Sequence, residues 1–424
     1  MEEFGEPSVI DHEYRPRRRL VASKPTLRRT LHTGAAVSLL ISGALGAGPA
    51  AADVKYDIGA TSQYQYNTNV FDLPAGYAVL GQGNRRGDSF YTYGAQGSVD
   101  YLLSQQDFFL RGTVTDFRYD HFSELTHYEY TADGGWNFKL GSEWDGTLEV
   151  LRNRTMVTFA ELNQQTLSLQ TEQRERGGIR FHFLPDWRIG ISGYSSDISE
   201  PTVQSPALKL TENQGASTLE YLGVANLTAG VTASYLTGKF SGNTGLDTLY
   251  DLDYHQTAAG LTAAYKLSGK STLDVAAGYS DRTSVAAADT LSGFTGNIAL
   301  HDQLTAKTVL TVRVSRAINS YIANAGSEID SIGHIDVAWQ ATFKTGFTLG
   351  YNYTYSDLPG QGVGPGGSRI DHMQYATVGI DYEPARWLSI RPYANFTTRH
   401  SNVFAYAFSG NIYGVNFLAH IQEN

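Results

Sequence analysis

Glu172, Arg174, Arg176, Arg180, His182 and Arg188 stand at even spacings along one stretch of chain. On an extended backbone, residues two apart share a face, so these six line up as one charged row. Three guanidinium groups in such a row repel one another unless anions lie opposite. The row is therefore read either as half of a set of cross-strand ion pairs or as a cationic stripe facing a solute. Arg282, Arg313, Arg391 and Arg399, with Asp336 and Tyr393, take the same parity in later segments and complete the set of candidate lining residues. Charges of both signs beside Tyr, Asn and Gln suit a hydrated, hydroxyl-rich solute better than a single ion type.

Catalytic chemistry finds no support. His121, His127 and His255 are scattered, without the spacing of a metal site. A Ser–His–Asp set can be picked from any chain of 424 residues, so such a choice carries no weight. Gly362-Val363-Gly364-Pro365-Gly366-Gly367 lacks the strand-to-helix context of a phosphate cradle and reads instead as a loop over a mouth. No enzyme, cofactor or metal is expected.

The elements that must position this row are strands. From Asp53 to Asn424 apolar residues recur at every second position, in segments of about 10–14 residues. Tyr128, Tyr130, Ala132, Trp136, Phe138 and Leu140 face one way, against His127, Glu129, Thr131, Asp133, Asn137 and Lys139. Ile335, Val337, Trp339, Ala341 and Phe343 oppose His334, Asp336, Gln340 and Thr342 in the same manner. Eighteen such segments can be counted, the sixth over 165–183 and the last over 407–421. No helix is expected between them.

The connections alternate in length. Ser104-Gln105-Gln106, Gly141-Ser142-Glu143, Pro185-Asp186, Gly223-Val224 and Ser268-Gly269-Lys270 are tight, whereas 68–89, 198–208, 239–251, 318–327 and 357–369 are long and polar or Gly-rich. Short turns at one end and long loops at the other are the pattern of a transmembrane β-barrel. Closure would pair every backbone polar group in hydrocarbon. The fold expected is all-β: one antiparallel barrel of about 18 strands, outer-membrane type, spanning 53–424, with both termini and the short turns on the periplasmic side.

Composition agrees. Charged residues make up 17% of the chain, against about 25% in a typical globular protein. There are 27 Tyr, 19 Phe and 44 Gly, and no Cys. Trp144, Trp187, Phe347 and Trp387 follow short turns, and Tyr194, Tyr279 and Tyr355 stand near the opposite strand ends. Both sets are expected to form aromatic girdles at the membrane interfaces.

Residues 1–52 differ from the rest. A basic stretch from Arg15 to Arg29 precedes an uncharged run from Gly34 to Ala47 and then Pro49-Ala50-Ala51-Ala52. This is the layout of a cleaved signal peptide, with the cut expected after Ala52 and export to the outer membrane of a Gram-negative bacterium as its consequence. Residues 53–424 carry 25 Lys or Arg against 37 Asp or Glu, a formal charge of −12. That balance excludes nucleic acid as a partner.

Tyr66-Asn67-Thr68-Asn69-Val70-Phe71 resembles the opening "aromatic, Asx, x, Asn, aliphatic, Phe" of the type 2 β-barrel porin family. That family includes outer-membrane barrels associated with exopolysaccharide biosynthesis. The resemblance implies a polar pore exporting an extracellular polysaccharide with periplasmic export partners. Uptake of sugars through a general porin, or a surface barrel that transports nothing, are the alternatives. Outer-membrane lipid and the barrel-assembly machinery are the remaining partners expected. Many such barrels end on an aromatic residue recognised in assembly. Here the alternation Tyr413, Val415, Phe417, Ala419, Ile421 is followed by Gln422-Glu423-Asn424, so the last aromatic is displaced inward.

Overall fold

The computed structural model describes residues 53–81, 84–200, 208–241, 253–284, 290–321, 326–364 and 366–423. The signal peptide expected over 1–52 and the middles of two long loops, 201–207 and 242–252, lie outside the described residues.

The alternating segments form eighteen strands. The first nine are β1 (Asp53–Asn67), β2 (Asp88–Leu103), β3 (Gln106–Tyr119), β4 (His127–Leu140), β5 (Trp144–Met156), β6 (Leu169–Leu184), β7 (Trp187–Glu200), β8 (Leu208–Val224) and β9 (Leu227–Ser241). The second nine are β10 (Tyr254–Lys266), β11 (Ser271–Ser284), β12 (Thr290–Thr305), β13 (Thr308–Tyr321), β14 (Gly326–Gln340), β15 (Thr345–Leu358), β16 (Arg369–Ala385), β17 (Leu388–Ser401) and β18 (Phe408–Glu423). Each pairs antiparallel with its sequence neighbour, and β1 also pairs with β18, from Tyr56 opposite Glu423 to Asn67 opposite Ile412. The sheet is thus closed and leaves no edge, the condition for crossing a bilayer with strands. The displaced terminal aromatic does not spoil closure, because β18 pairs on both sides, with β17 and β1.

The apolar parity faces out. Leu148 and Val150 on β5, Ile191 on β7, Leu261 on β10 and Phe294 on β12 are all exposed, as lipid-facing residues must be. Trp144, Trp187, Phe347 and Trp387 stand exposed beside the short turns and form the girdle expected there. At the other end Tyr279 faces out, but Tyr194 does not. It turns inward, donates to Glu212 (3.4 Å) and lies under the Arg174 guanidinium. The parity on β7 explains this, because outward Ile189 and Ile191 place residue 194 on the opposite face.

One connection departs from expectation. β5 stops at Met156 and β6 starts at Leu169, four residues later than the sequence pattern places it, and Phe159–Leu162 form one helical turn. Asn163, in the left-handed conformation (φ 50°), ends that turn. Leu167 accounts for the misreading: it continues the parity of Leu169 on β6 but packs against the apolar cluster formed by the loops.

Candidate functional site: the loop-filled mouth and its belt of paired charges

The long connections at one end fold onto each other. Val70, Phe71, Leu73 and Val79 from the loop after β1, Phe122 and Leu125 from the loop after β3, and Phe159 form a buried core of their own. Phe71 meets Phe122 and Phe159 edge-on, with ring centroids 4.9 and 4.8 Å away. Tyr119, Met156 and Leu167 pack against the cluster. Such apolar groups would not stay in an extracellular loop exposed to water, and burying each side chain contributes about 1.5–3 kcal/mol.

Polar anchors fix the loops around this core. Asn69 is buried, accepts the Leu73 N–H (3.1 Å), and donates to the carbonyls of Leu73 (3.0 Å) and Ser409 (2.9 Å). Asn67 accepts the Asn69 N–H at 2.8 Å. The motif Tyr66-Asn67-Thr68-Asn69-Val70-Phe71 is therefore a loop anchor, with Val70 and Phe71 in the core. Asp88 caps the second loop by accepting the backbone N–H groups of His121 and Phe122 at 3.0 Å each. Asp120 and His121 lie beside it with metal-compatible spacing, but the Asp88 oxygens are already occupied by those donors and by the Ser89 N–H. Gln165 ties the third loop to the first, accepting the Leu80 N–H at 2.7 Å.

The third loop then crosses the barrel. Arg399 on β17 donates to the carbonyl of Ala160 at 2.8 Å. β5 and β17 are six strands apart by the shorter way round, about 29 Å along the wall at roughly 4.8 Å per strand. Residues 157–168 bridge that gap as an arm inside the mouth. Asp72 holds the same residue from the other side, accepting the Ala160 N–H. Crowding by protein pushes the Asp72 carboxyl up to about 7, although the nearby Arg399 charge pulls it down. Part of its surface stays open, so solvent limits the cost of ionising it.

The arm lands on charges. Arg399 and Arg369 converge on the Asp371 carboxylate, Arg369 at 3.1 Å, and both guanidiniums lie over the Tyr406 ring, at 3.9 Å for Arg369 and 5.5 Å for Arg399. Glu328 on β14 lies within electrostatic range of Arg369, Arg399 and the arm's Glu161. From there a chain of polar contacts follows the wall. Ser356 and Asn319 (2.9 Å) donate to Asp330. Arg282 donates to the Asn319 carbonyl, Ser320 and Ser327, each at 3.1 Å. Ser320 and Tyr254 both donate to Glu212, which also receives Tyr194. Ser320 and Ser327 stand opposite each other at the paired ends of β13 and β14, so Arg282 joins these two strand ends.

Tyr254 reaches Glu212 by lying flat across β9. Its ring occupies the place where a Cβ at Gly238 would stand. Tyr393 uses the same device on the far wall. It lies over Gly414, receives a hydrogen bond from Gln63, and donates to Gln65 at 2.8 Å.

The row on β6 is paired throughout. Arg174 meets Glu172 (2.6 Å), Arg176 meets Glu149 (2.6 Å), and Arg180 and His182 share Asp145 (2.5 and 3.4 Å). Glu172 also accepts from Ser196 (3.1 Å) and Asn153 (3.2 Å). Arg188 pairs with Glu220 at 2.6 Å, both buried. Arg391 meets Asp381, and His334 meets Asp336 at 2.6 Å. Arg313 stands opposite His334. Of the two readings of the row, the structure realises the ion pairs, those of Arg176, Arg180 and His182 crossing to β5 and that of Arg174 lying within β6. Arg282 and Arg399 belong to the belt at the mouth, whereas Arg188, Arg391, Tyr393 and Asp336 lie elsewhere on the inner wall.

Reasoning from parity alone missed Arg369, Asp371, Asp330, Glu328, Tyr254 and the arm. Two signals stand in the sequence. Apolar residues crowd loops that should be polar, and Arg369 and Arg399 stand at the loop-side ends of β16 and β17.

A closed, edge-free sheet with an apolar outside, an aromatic girdle at the turns and a charge-lined inside defines an outer-membrane β-barrel. Comparisons add nothing finer. No protein-family profile matches the chain, and no curated protein does. Among solved structures, it is similar in fold to OpdL of Pseudomonas aeruginosa, at 13% identity over 88% of this chain and 99% of that one, with a TM-score of 0.43. OccAB3 of Acinetobacter baumannii shows 10% identity over 88% and 100% of the two chains, with a TM-score of 0.45. The siderophore receptor PirA of Pseudomonas aeruginosa gives 10%, 86% and 80%, with 0.43.

Proposed function

We propose that the chain is an outer-membrane channel for hydrated, hydroxyl-rich solutes, which pass an eyelet between the arm at 157–168 and the belt from Arg399 to Glu212. The carrying observation is the crossing of the arm to Arg399. An eighteen-strand barrel is wide enough for water, and an arm reaching from β5 to β17 narrows the path. Paired charges offer a solute donors and acceptors without a strong field of one sign, so neutral sugars are favoured over ions. Cosolute passage is measured by planar-bilayer conductance and sugar-driven liposome swelling. Steady conductance with swelling that falls as sugar length grows is expected; barrels that insert but pass neither current nor sugar would overturn the reading.

Polysaccharide export is the second reading, and the resemblance at Tyr66–Phe71 favours it. Its support is reduced because those residues serve to anchor loops, a task any barrel with this mouth would set. A polymer would also need the arm displaced. Surface polymer lost or trapped in a deletion strain would establish export, and normal surface polymer would leave the sugar channel.

A further inference from the structure

The outer wall carries a feature that transport does not use. Outward positions on β5 run Trp144, Gly146, Leu148 and Val150, all apolar or small, and then Arg152 and Arg154. From Trp144 to Arg152 is about 26 Å along the strand at roughly 3.3 Å per residue. A tilt of about 40° brings that to roughly 20 Å of height, close to the top of an apolar band about 25 Å tall. Both arginines thus stand at the outer-leaflet interface, where long side chains reach upward to headgroups.

They line a groove of about 410 Å³ with Tyr128 and Tyr130 of β4 on one side and Leu167, Leu169 and Thr171 on the other. Arg154 lies 4.3 Å over the Tyr128 ring, which holds its guanidinium in place. Among the described residues neither arginine has a carboxylate partner. The outward acids nearby are engaged elsewhere: Asp116 by Arg118 (2.8 Å), Glu175 by Gln173 (3.1 Å) and Asp197 by Lys209 (3.1 Å). Two unpaired guanidiniums, an aromatic wall and an apolar floor fit a phosphorylated headgroup with acyl chains below. Guanidinium groups bind phosphate through paired N–H donors.

We propose that this groove is a binding site for the phosphate-bearing headgroup of an outer-leaflet glycolipid, with Arg152 and Arg154 as its anion ligands. The site is independent of what passes the lumen. The test is native mass spectrometry of the folded barrel in neutral detergent, titrated with diphosphorylated lipid A. Wild type should retain one lipid. Arg152→Gln combined with Arg154→Gln should retain at least ten-fold less, while Arg316→Gln, on the distant β13 wall, should bind as wild type. Dephosphorylated lipid A should bind wild type no better than the double variant binds the intact lipid. Equal retention by the double variant, or by dephosphorylated lipid, overturns the proposal. Displacement of the lipid by equimolar inorganic pyrophosphate overturns it too, since the groove would then be a small-anion site. Heat-modifiable gel migration checks folding; should the double variant fail it, the phosphate comparison on wild type decides alone.

Discussion

Arg399→Gln removes the charge that holds the arm to the far wall. In the native barrel this guanidinium serves two acceptors, the Ala160 carbonyl at 2.8 Å and the Asp371 carboxylate, and its side chain is 9% exposed. Asp371 keeps Arg369 at 3.1 Å, so the substitution does not strand a buried anion, and the larger cost of breaking a buried pair, about 3–5 kcal/mol, is avoided. What is lost is a hydrogen bond from a charged donor, worth about 1.5–3 kcal/mol. The arm-displaced state should therefore gain roughly ten- to hundred-fold in population. Asp72 and Phe159 still hold the arm, so displacement is transient. Single-channel recording should show larger conductance steps and added open-channel noise, with sugar passage in liposomes extended to longer oligomers. Heat-modifiable migration should remain that of wild type. A folded variant with unchanged conductance, noise and size cutoff would refute the eyelet.

Four further outcomes follow from the same contacts. Phe71→Ala opens a cavity among Phe122 and Phe159, should cost about 3–5 kcal/mol, and should expose the loops to protease on intact cells while the barrel stays folded. Gly238→Val puts a side chain where the Tyr254 ring lies; the displaced ring should lower thermal stability by about 1–3 kcal/mol, whereas Tyr254→Phe, which keeps the ring, should lower it less. Stability should also depend on pH through Asp72. Its folded pKa, about 7, lies above the ordinary carboxyl value, so between pH ~4 and ~7 the native state holds a proton that the unfolded chain has released, and stability falls as pH rises through that window. Asp72→Asn should match wild type near pH 4 and melt higher at pH 8; a difference that does not grow with pH would show that the folded state does not raise the Asp72 pKa.

Much of this molecule could be read from periodicity. The strand count and the two faces of β6 follow from alternation, because a period of two fixes both the element and its faces; closure was expected from the alternating turn and loop lengths. Lipid on one face and water on the other then makes each strand report its own orientation. Tyr194 shows the limit of a looser rule. Position near a strand end placed it in a girdle, but the parity set by Ile189 and Ile191 places it inside, and parity prevails since a one-residue slip would move every side chain of β7.

The mouth was not legible in the same way, for a physical reason. Alternation is a local property, whereas the arm's destination depends on a contact between residues 160 and 399, and nothing periodic links them. What the loops do carry is a mismatch of polarity. Val70, Phe71, Phe122, Leu125 and Phe159 occupy segments that water should claim, and a barrel interior offers the one place where three loops can bury them together. Each loop is too short to form a core alone, so the apolar residues imply mutual packing, and mutual packing over the opening implies an obstruction. By that argument, loop hydrophobicity in a barrel sequence marks an inward-folded mouth, and the charged residues at the loop-side ends of distant strands, here Arg369 and Arg399, mark where the obstruction is fastened.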